Sequence, residues 1–500
     1  MNSLLPYLPF LLSVISGHVL LSLIIGDKKT FSPLLHLSLG TGLGLGVNAY
    51  LTSLSFMLLD RYNQTCIITF NIFFLTGLLV LFLRTKNGVY SFTDSLYPNA
   101  TGLRNHNNIL QSVWVLYCLP LFAILRRGSI KQYGLRDTIY FITLIILFIP
   151  LFIMAKFYPY GGWDAWAVWN FKAKFLLMAG NHWNLIFDPA LWRSSPHYPL
   201  LLPLINLWGW SFLDEPTYQV PMLTSLLFTF LTMGLLITGL KEWSKSHLVI
   251  LSAVCFTVSP FLAKTAVSQY CDVLFGYYLL ASIFCLIKAR QFNNPGYGFL
   301  AGIFTGFLSF TKSEGLVAGL ILTALSVFYL IGQHEPPTTF SKKTGIKDKF
   351  TMIAFAVGCA LTMIPAIVFY TFLAPENITS INGLLSKTNP ADFTRLKIIL
   401  IFYAMELVSN KWNGLWIVLF FGLSLGWKNI LKPQILIIPL FLSLYTLTVS
   451  FYYFTNTYFE IAWWLSVSLN RILGAVIPTV IFWVFYALWQ DDADAKKIGK

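Results

Sequence analysis

DTIYFITLIILFIPLFIMAKFYPYGGWDAWAVWNFKAK, residues 137–174, joins a long apolar run to a polar, indole-rich segment. The run over 137–157 is long enough to cross a bilayer as a helix, which takes roughly 17–25 apolar residues. The segment after it is the opposite in character: Asp164, Lys172 and Lys174 set among Trp163, Trp166 and Trp169. Burying such a segment in lipid is too costly, so 158–203 is expected at a membrane face.

Outward from this stretch the chain repeats the apolar half of the pattern. It is 56% hydrophobic and only 11% charged, with a mean hydropathy of +0.69, which excludes a soluble domain. Its runs are continuous rather than alternating, which argues against a membrane β-barrel. Spans are expected near 4–25, 33–59, 66–84, 111–125, 137–157, 219–240, 247–264, 272–290, 297–312, 315–331, 351–373, 411–427, 434–454 and 471–489. The stretch 393–409 suits either a further span or an interfacial helix. The fold class is therefore an all-α polytopic membrane protein, a bundle of about 13–15 spans. Its long outer loop carries short interfacial helices. The first apolar run lacks a basic leader and a clear cleavage site, so it reads as a retained helix.

A net charge of +14 suggests nucleic acid at first sight, but the basic residues sit in short clusters between apolar runs. That is an orienting pattern. Arg126, Arg127, Lys131 and Arg136 form one cluster, Lys241 and Lys245 a second, and Lys288 and Arg290 a third. Lys342, Lys343, Lys347 and Lys349 make a fourth, Lys428 with Lys432 a fifth, and Lys496, Lys497 and Lys500 a sixth. These fall on one side, taken as cytoplasmic, whereas Lys28 and Lys29 land on the other. The segments 158–218, 265–272, 374–410 and 455–470 then share the outer face. Six scattered cysteines show neither zinc spacing nor a disulfide framework. The Pro-, Ser- and Lys-rich stretch 332–350 reads as a cytoplasmic linker, dividing helices 1–136 and 137–331 from 351–500.

The polar residues of the outer face are the candidates for chemistry. Asp164 opens a helix whose indoles, spaced by three, line one side. The helix dipole accounts for an acid there, but a carboxylate hemmed by Trp163 and Trp166 is also placed to act as a general base. Lys172 and Lys174 are either snorkelling side chains or holders of a lipid phosphate. Pro196 and Pro199 fix the backbone around His197 and Tyr198, as a structural corner or as a frame for the imidazole and phenol. Asp272, in Gln269-Tyr270-Cys271-Asp272, is a helix cap or a second site acid. Thr311-Lys312-Ser313-Glu314-Gly315 interrupts an apolar block; its Lys312 and Glu314 form a local pair, or face an anionic ligand. Glu460, with Trp463 and Trp464, precedes Asn470-Arg471, and the guanidinium can fork onto a phosphate.

This order of parts resembles the integral-membrane GT-C glycosyltransferases, in particular bacterial members of the polyprenyl- or dolichyl-phosphate-sugar dependent, protein-mannosyltransferase-like group (family 39). The resemblance rests on Asp164 in Gly-Gly-Trp-Asp-Ala-Trp after a span and on Asp272 at the start of a later span. It rests also on the glycine-spaced helix 302–312 ending in Thr-Lys, and on Ser468-Leu469-Asn470-Arg471-Ile472-Leu473. It covers about 137–490, leaves the helices of 1–136 as extra to the minimal module, and shows a single Asp where the family has an acidic pair. It implies inverting transfer of a sugar from a polyprenyl-phosphate lipid donor to a glycan, lipid or protein acceptor at the extracytoplasmic face of the plasma membrane. Asp164 would be the base, with Asp272 as second catalytic acid. Lys312, Arg471, Lys172 and Lys174 would hold the donor phosphate. Trp163, Trp166, His197, Tyr198, Glu314 and Glu460 would meet the acceptor or sugar. No cofactor is required; a divalent metal is compatible, though no ligand motif joins the acids. The competing reading is a polytopic transporter or lipid flippase of the envelope.

Overall fold

Helix boundaries follow capping chemistry more closely than hydropathy. The computed structural model describes residues 5–25, 32–84, 127–241, 244, 246–331, 344–375 and 393–488. Its α-helices are α1 Leu8–Ile25, α2 Pro33–Leu59, α3 Gln64–Arg84, α4 Arg127–Phe157, α5 Asn170–Met178, α6 Leu201–Trp210, α7 Gln219–Leu240, α8 Ser246–Val258 and α9 Pro260–Val267. The second half of the chain forms α10 Cys271–Phe292, α11 Pro295–Ser309, α12 Ser313–Ile331, α13 Thr344–Val368, α14 Phe393–Val408, α15 Leu415–Leu425, α16 Ile437–Thr455 and α17 Ile461–Ala487. Among the described residues ten helices are long and apolar enough to cross a membrane, eleven if the bent pair α8–α9 counts as one. The protein is an all-α polytopic membrane protein, as its composition requires.

Several expected spans differ from the structure for local reasons. The run 247–264 breaks at Pro260, which has no N–H to continue α8. Ser259 instead caps α9, accepting from Leu262 N, and the two helices meet at 73°. The expected spans 297–312 and 411–427 correspond to α11, of 15 residues, and α15, of 11, both short of a bilayer. The ambiguous stretch near 393–409 is the 16-residue α14. The last span starts at Ile461, not at 471, because Glu460 caps it, accepting from Ala462 N and Trp463 N. Arg471 consequently lies well inside a helix instead of opening it. The span expected at 111–125, and Lys28 and Lys29, lie outside the described residues. The helix ends flanking that lysine pair are described, however, and Gly296 packs against the Ile24 carbonyl. The described end of α1 therefore lies near the Lys288–Arg290 end of α10.

α10 is the axis of the bundle, and its apolar window is wholly buried. The N-terminal hairpin is built into this core: Tyr277 Oη donates to the Ser38 carbonyl at 2.6 Å and Tyr278 Oη to that of Gly42 at 3.0 Å. α11 and α13 touch backbone to backbone, since a Cβ on Gly302 would lie 2.2 Å from the Phe355 oxygen and one on Gly358 2.3 Å from that of Phe299. Small residues permit this approach in apolar surroundings, where dispersion rather than water drives packing. At the loop end of the bundle Arg395 closes α16. It donates to the carbonyls of Tyr453 at 2.8 Å, Phe454 at 3.1 Å and Asn456. Arg395→Ala strands those carbonyls, so a loss of about 1.5–3 kcal/mol is expected, read as a lower Tm of purified protein in detergent.

Candidate active site

Two glycines deliver the outer segment to the core. Gly161 takes φ 69°, a left-handed conformation that costs an L side chain strain, and a Cβ there would sit 2.5 Å from the Ser268 carbonyl. The next residue, Gly162, donates its N–H to that same carbonyl at 3.0 Å. The chain leaving α4 is thereby pinned beside the start of α10. Asp164 comes directly after, and Ala165–Trp169 form a π-helical turn, a bulge frequent at functional sites.

Four charged side chains from four distant segments meet at this point. Arg471 Nη1 reaches Asp164 Oδ2 at 2.5 Å, and its Nε reaches Asp272 Oδ2 at 2.9 Å. The other oxygen of Asp272, Oδ1, accepts from Lys312 Nζ at 2.6 Å. Beneath the cations lie rings: the guanidinium is 4.6 Å from the Tyr270 centroid and the ammonium 5.3 Å from that of Phe275. Asp272 is not the cap of α10, a position held by Tyr270; it lies in the first turn with both oxygens bound to cations. Burial alone would pull the Lys312 ammonium down, but Asp272, then Glu314, outweigh it and lift its pKa above the ordinary lysine value. Desolvating four charges is costly, and a cluster of this kind is poor evidence for stability alone. Its arrangement suits binding an anion next to a carboxylate.

Glu314 lies beside the cluster, and its Oε2 is buried with no hydrogen-bond partner among the described residues. It is the largest cause of a strongly raised Tyr198 pKa, ahead of burial, with Arg471 opposing and Asp164 adding. The Tyr198 phenol is thus within electrostatic reach of all three. Its ring stacks on Trp169, with centroids 5.5 Å apart and planes 2° from parallel.

Lys172 is fully buried and donates to the carbonyls of Ser195 and Tyr198, each at 2.7 Å. Burial holds its pKa well below the usual lysine value. Its ammonium fastens the 195–198 turn and, among the described residues, makes no ion pair with the four-charge cluster, whereas Lys174 is exposed. Trp163 and Trp166 are 52% and 57% exposed and meet edge to face at 5.6 Å, so Arg471, and not indole, faces the Asp164 carboxylate. Exposed Glu460 spends both oxygens on the cap of α17.

The half-buried His197 imidazole is pulled from 6.5 to about 4, by burial first and by Lys172 second. A depressed folded pKa means the neutral ring stabilises the loop. That contribution is whole above the unfolded pKa and is lost as pH falls towards and through about 4. It amounts to up to about 3 kcal/mol. His197→Gln should therefore lose less Tm than the parent between neutral and acid pH; equal losses would remove His197 from the account.

Sequence reasoning missed the polar chain that seats the loop. Asn206 Nδ2 donates to Asn170 Oδ1 at 3.0 Å, Asn170 Nδ2 to Gln269 Oε1 at 2.9 Å, and Gln269 Nε2 to the Pro159 carbonyl at 2.7 Å. Gln269 stands three residues before Asp272, but nothing in the sequence indicates partners so remote. Among the described residues no three His, Cys, Asp or Glu side chains converge as metal ligands. Residues 214–368 match the family model described as dolichyl-phosphate-mannose-protein mannosyltransferase, which bears out the expected kinship with membrane glycosyltransferases. The matched segment holds Asp272, Lys312 and Glu314. No curated protein and no solved structure matches the chain.

Proposed function

We propose that this membrane glycosyltransferase moves a sugar from a polyprenyl-phosphate carrier to an acceptor, with inversion, at the extracytoplasmic face of the plasma membrane. The acceptor's hydroxyl or amine attacks the anomeric carbon from the side opposite the phosphate. Its proton passes to Asp164, the bond from carbon to phosphate oxygen breaks, and the lipid phosphate leaves. Lys312 and Arg471 neutralise the charge that grows on the leaving group, the kind of electrostatic stabilisation that usually dominates such catalysis. Asp272 holds both cations in place, and Tyr198, Glu314 and the exposed Trp163–Trp166 pair offer hydroxyl partners and stacking faces to sugar or acceptor. Lys172 serves by holding the Tyr198 turn.

The single observation that carries this reading is the linked Asp164–Arg471–Asp272–Lys312 cluster. Two further features support it. A small cavity lined by Phe256, Leu262, Gly276, Gly474 and Pro478 touches Asp272 beside the bent α8–α9 pair, so the central carboxylate borders largely apolar space. Arg290, which donates to the Pro433 carbonyl, and Lys288 lie at the end of α10 remote from the cluster, as the positive-inside rule expects of an outward-facing site.

Purified protein incubated with a panel of polyprenyl-phosphate sugars should release free lipid phosphate. Asp164→Asn should slow release at least about 10²-fold while Tm is retained. Release from no donor would return the chain to the transporter class, and full release by the variant would remove Asp164 as the base.

A further inference from the structure

Both cations of the cluster are already engaged. Arg471 spends Nη1 on Asp164 and Nε on Asp272, and Lys312 is bound to the other Asp272 oxygen. Two carboxylates cancel two cations, and nearby Glu314 adds a further acid. An incoming phosphate diester therefore finds both positive charges already balanced, and it gains the full charge of a cation only by taking a carboxylate's place. The same pairing engages Asp164, because its Oδ2 is held by the guanidinium.

The two acids are not equally replaceable. The Asp272 side chain is 1% exposed and holds two cations, whereas that of Asp164 is 21% exposed and holds one, through an Arg471 side chain itself 26% exposed. A phosphate competing for Arg471 displaces Asp164, since losing the Asp272 contact would strip a buried carboxylate of one of its two cations and leave its Oδ2 without that donor. Only Asp164 can yield cheaply.

We propose that Arg471 is a substrate-operated latch: donor phosphate takes Nη1 from Asp164, and the base becomes free only once the donor is bound. This rests on the glycosyl-transfer reading and adds an obligatory order, donor before acceptor. No covalent step is involved, only exchange of one carboxylate for one phosphate at a guanidinium. The device keeps the base from drawing protons off water or acceptor in an empty site. It also predicts that removing the competitor, while destroying turnover, improves binding of the anion.

The test is equilibrium binding of a polyprenyl monophosphate, without sugar, to the full-length protein in nanodiscs, monitored by tryptophan fluorescence. Asp164→Asn should bind at least about tenfold more tightly than the parent, about 1.4 kcal/mol. Glu314→Gln removes a neighbouring negative charge that does not hold Arg471, and should tighten binding much less. If wild type binds and Asp164→Asn is no tighter, or Glu314→Gln tightens equally, the latch is wrong and the transferase reading stands. If no variant binds lipid phosphate although each keeps its Tm, both fall together.

Discussion

Asp272→Asn is expected to lower stability by about 3–5 kcal/mol, because it breaks a buried ion cluster from its centre. Asp272 is 2% exposed and Lys312 3%, so the ammonium cannot turn to water when the carboxylate goes. Lys312 loses the charge of its 2.6 Å partner and keeps at most a neutral amide oxygen, while Arg471 keeps Asp164. The penalty comes from the orphaned ammonium more than from the lost attraction. The double variant Asp272→Asn/Lys312→Met should accordingly recover much of the loss, since the methionine needs no partner. Thermal unfolding of both proteins in the same detergent checks this, with the coupling read as a double-mutant cycle. A double variant as unstable as the single one would mean that Asp272 acts through its helix position and not through Lys312.

The long apolar helices were legible in the sequence wherever a continuous run met no capping residue. The outline failed where a cap or proline set the boundary instead: Pro260 split one run, and Glu460 started α17 well before Arg471. All four charges of the cluster, Asp164, Asp272, Lys312 and Arg471, stood out because polar residues are rare in such a chain. Their pairing was not legible. Arg471 meets partners 307 and 199 residues away, and nothing local to Asn470-Arg471 indicates which carboxylate it takes. Lys172 shows the converse. Its sequence position near Asp164 suggested a phosphate ligand, whereas the fold turns it inward onto the Ser195 and Tyr198 carbonyls. A lysine two residues along, Lys174, has the same charge but a more open side chain, so residue type alone could not separate them.

Arg471→Lys should reduce turnover by roughly 10²–10³-fold, the loss typical of deleting one preorganised donor to a developing oxyanion. Both side chains carry one positive charge, so the net electrostatics of the cluster survive and Tm should move by less than about 2 kcal/mol equivalent. What disappears is the fork. A planar guanidinium holds Asp272 through Nε while Nη1 is offered to Asp164, or to phosphate, in a fixed direction. An ammonium on a flexible stem has no such division of labour: bound to the deeper Asp272, it has no rigid second donor aimed at the site. The defect should therefore fall on kcat more than on KM, since the missing interaction strengthens as charge builds on the leaving phosphate. Single-turnover rates with saturating donor measure this directly. A rate close to wild type would mean that charge alone suffices at this position, and Lys312 would then have to carry the leaving group without a guanidinium partner.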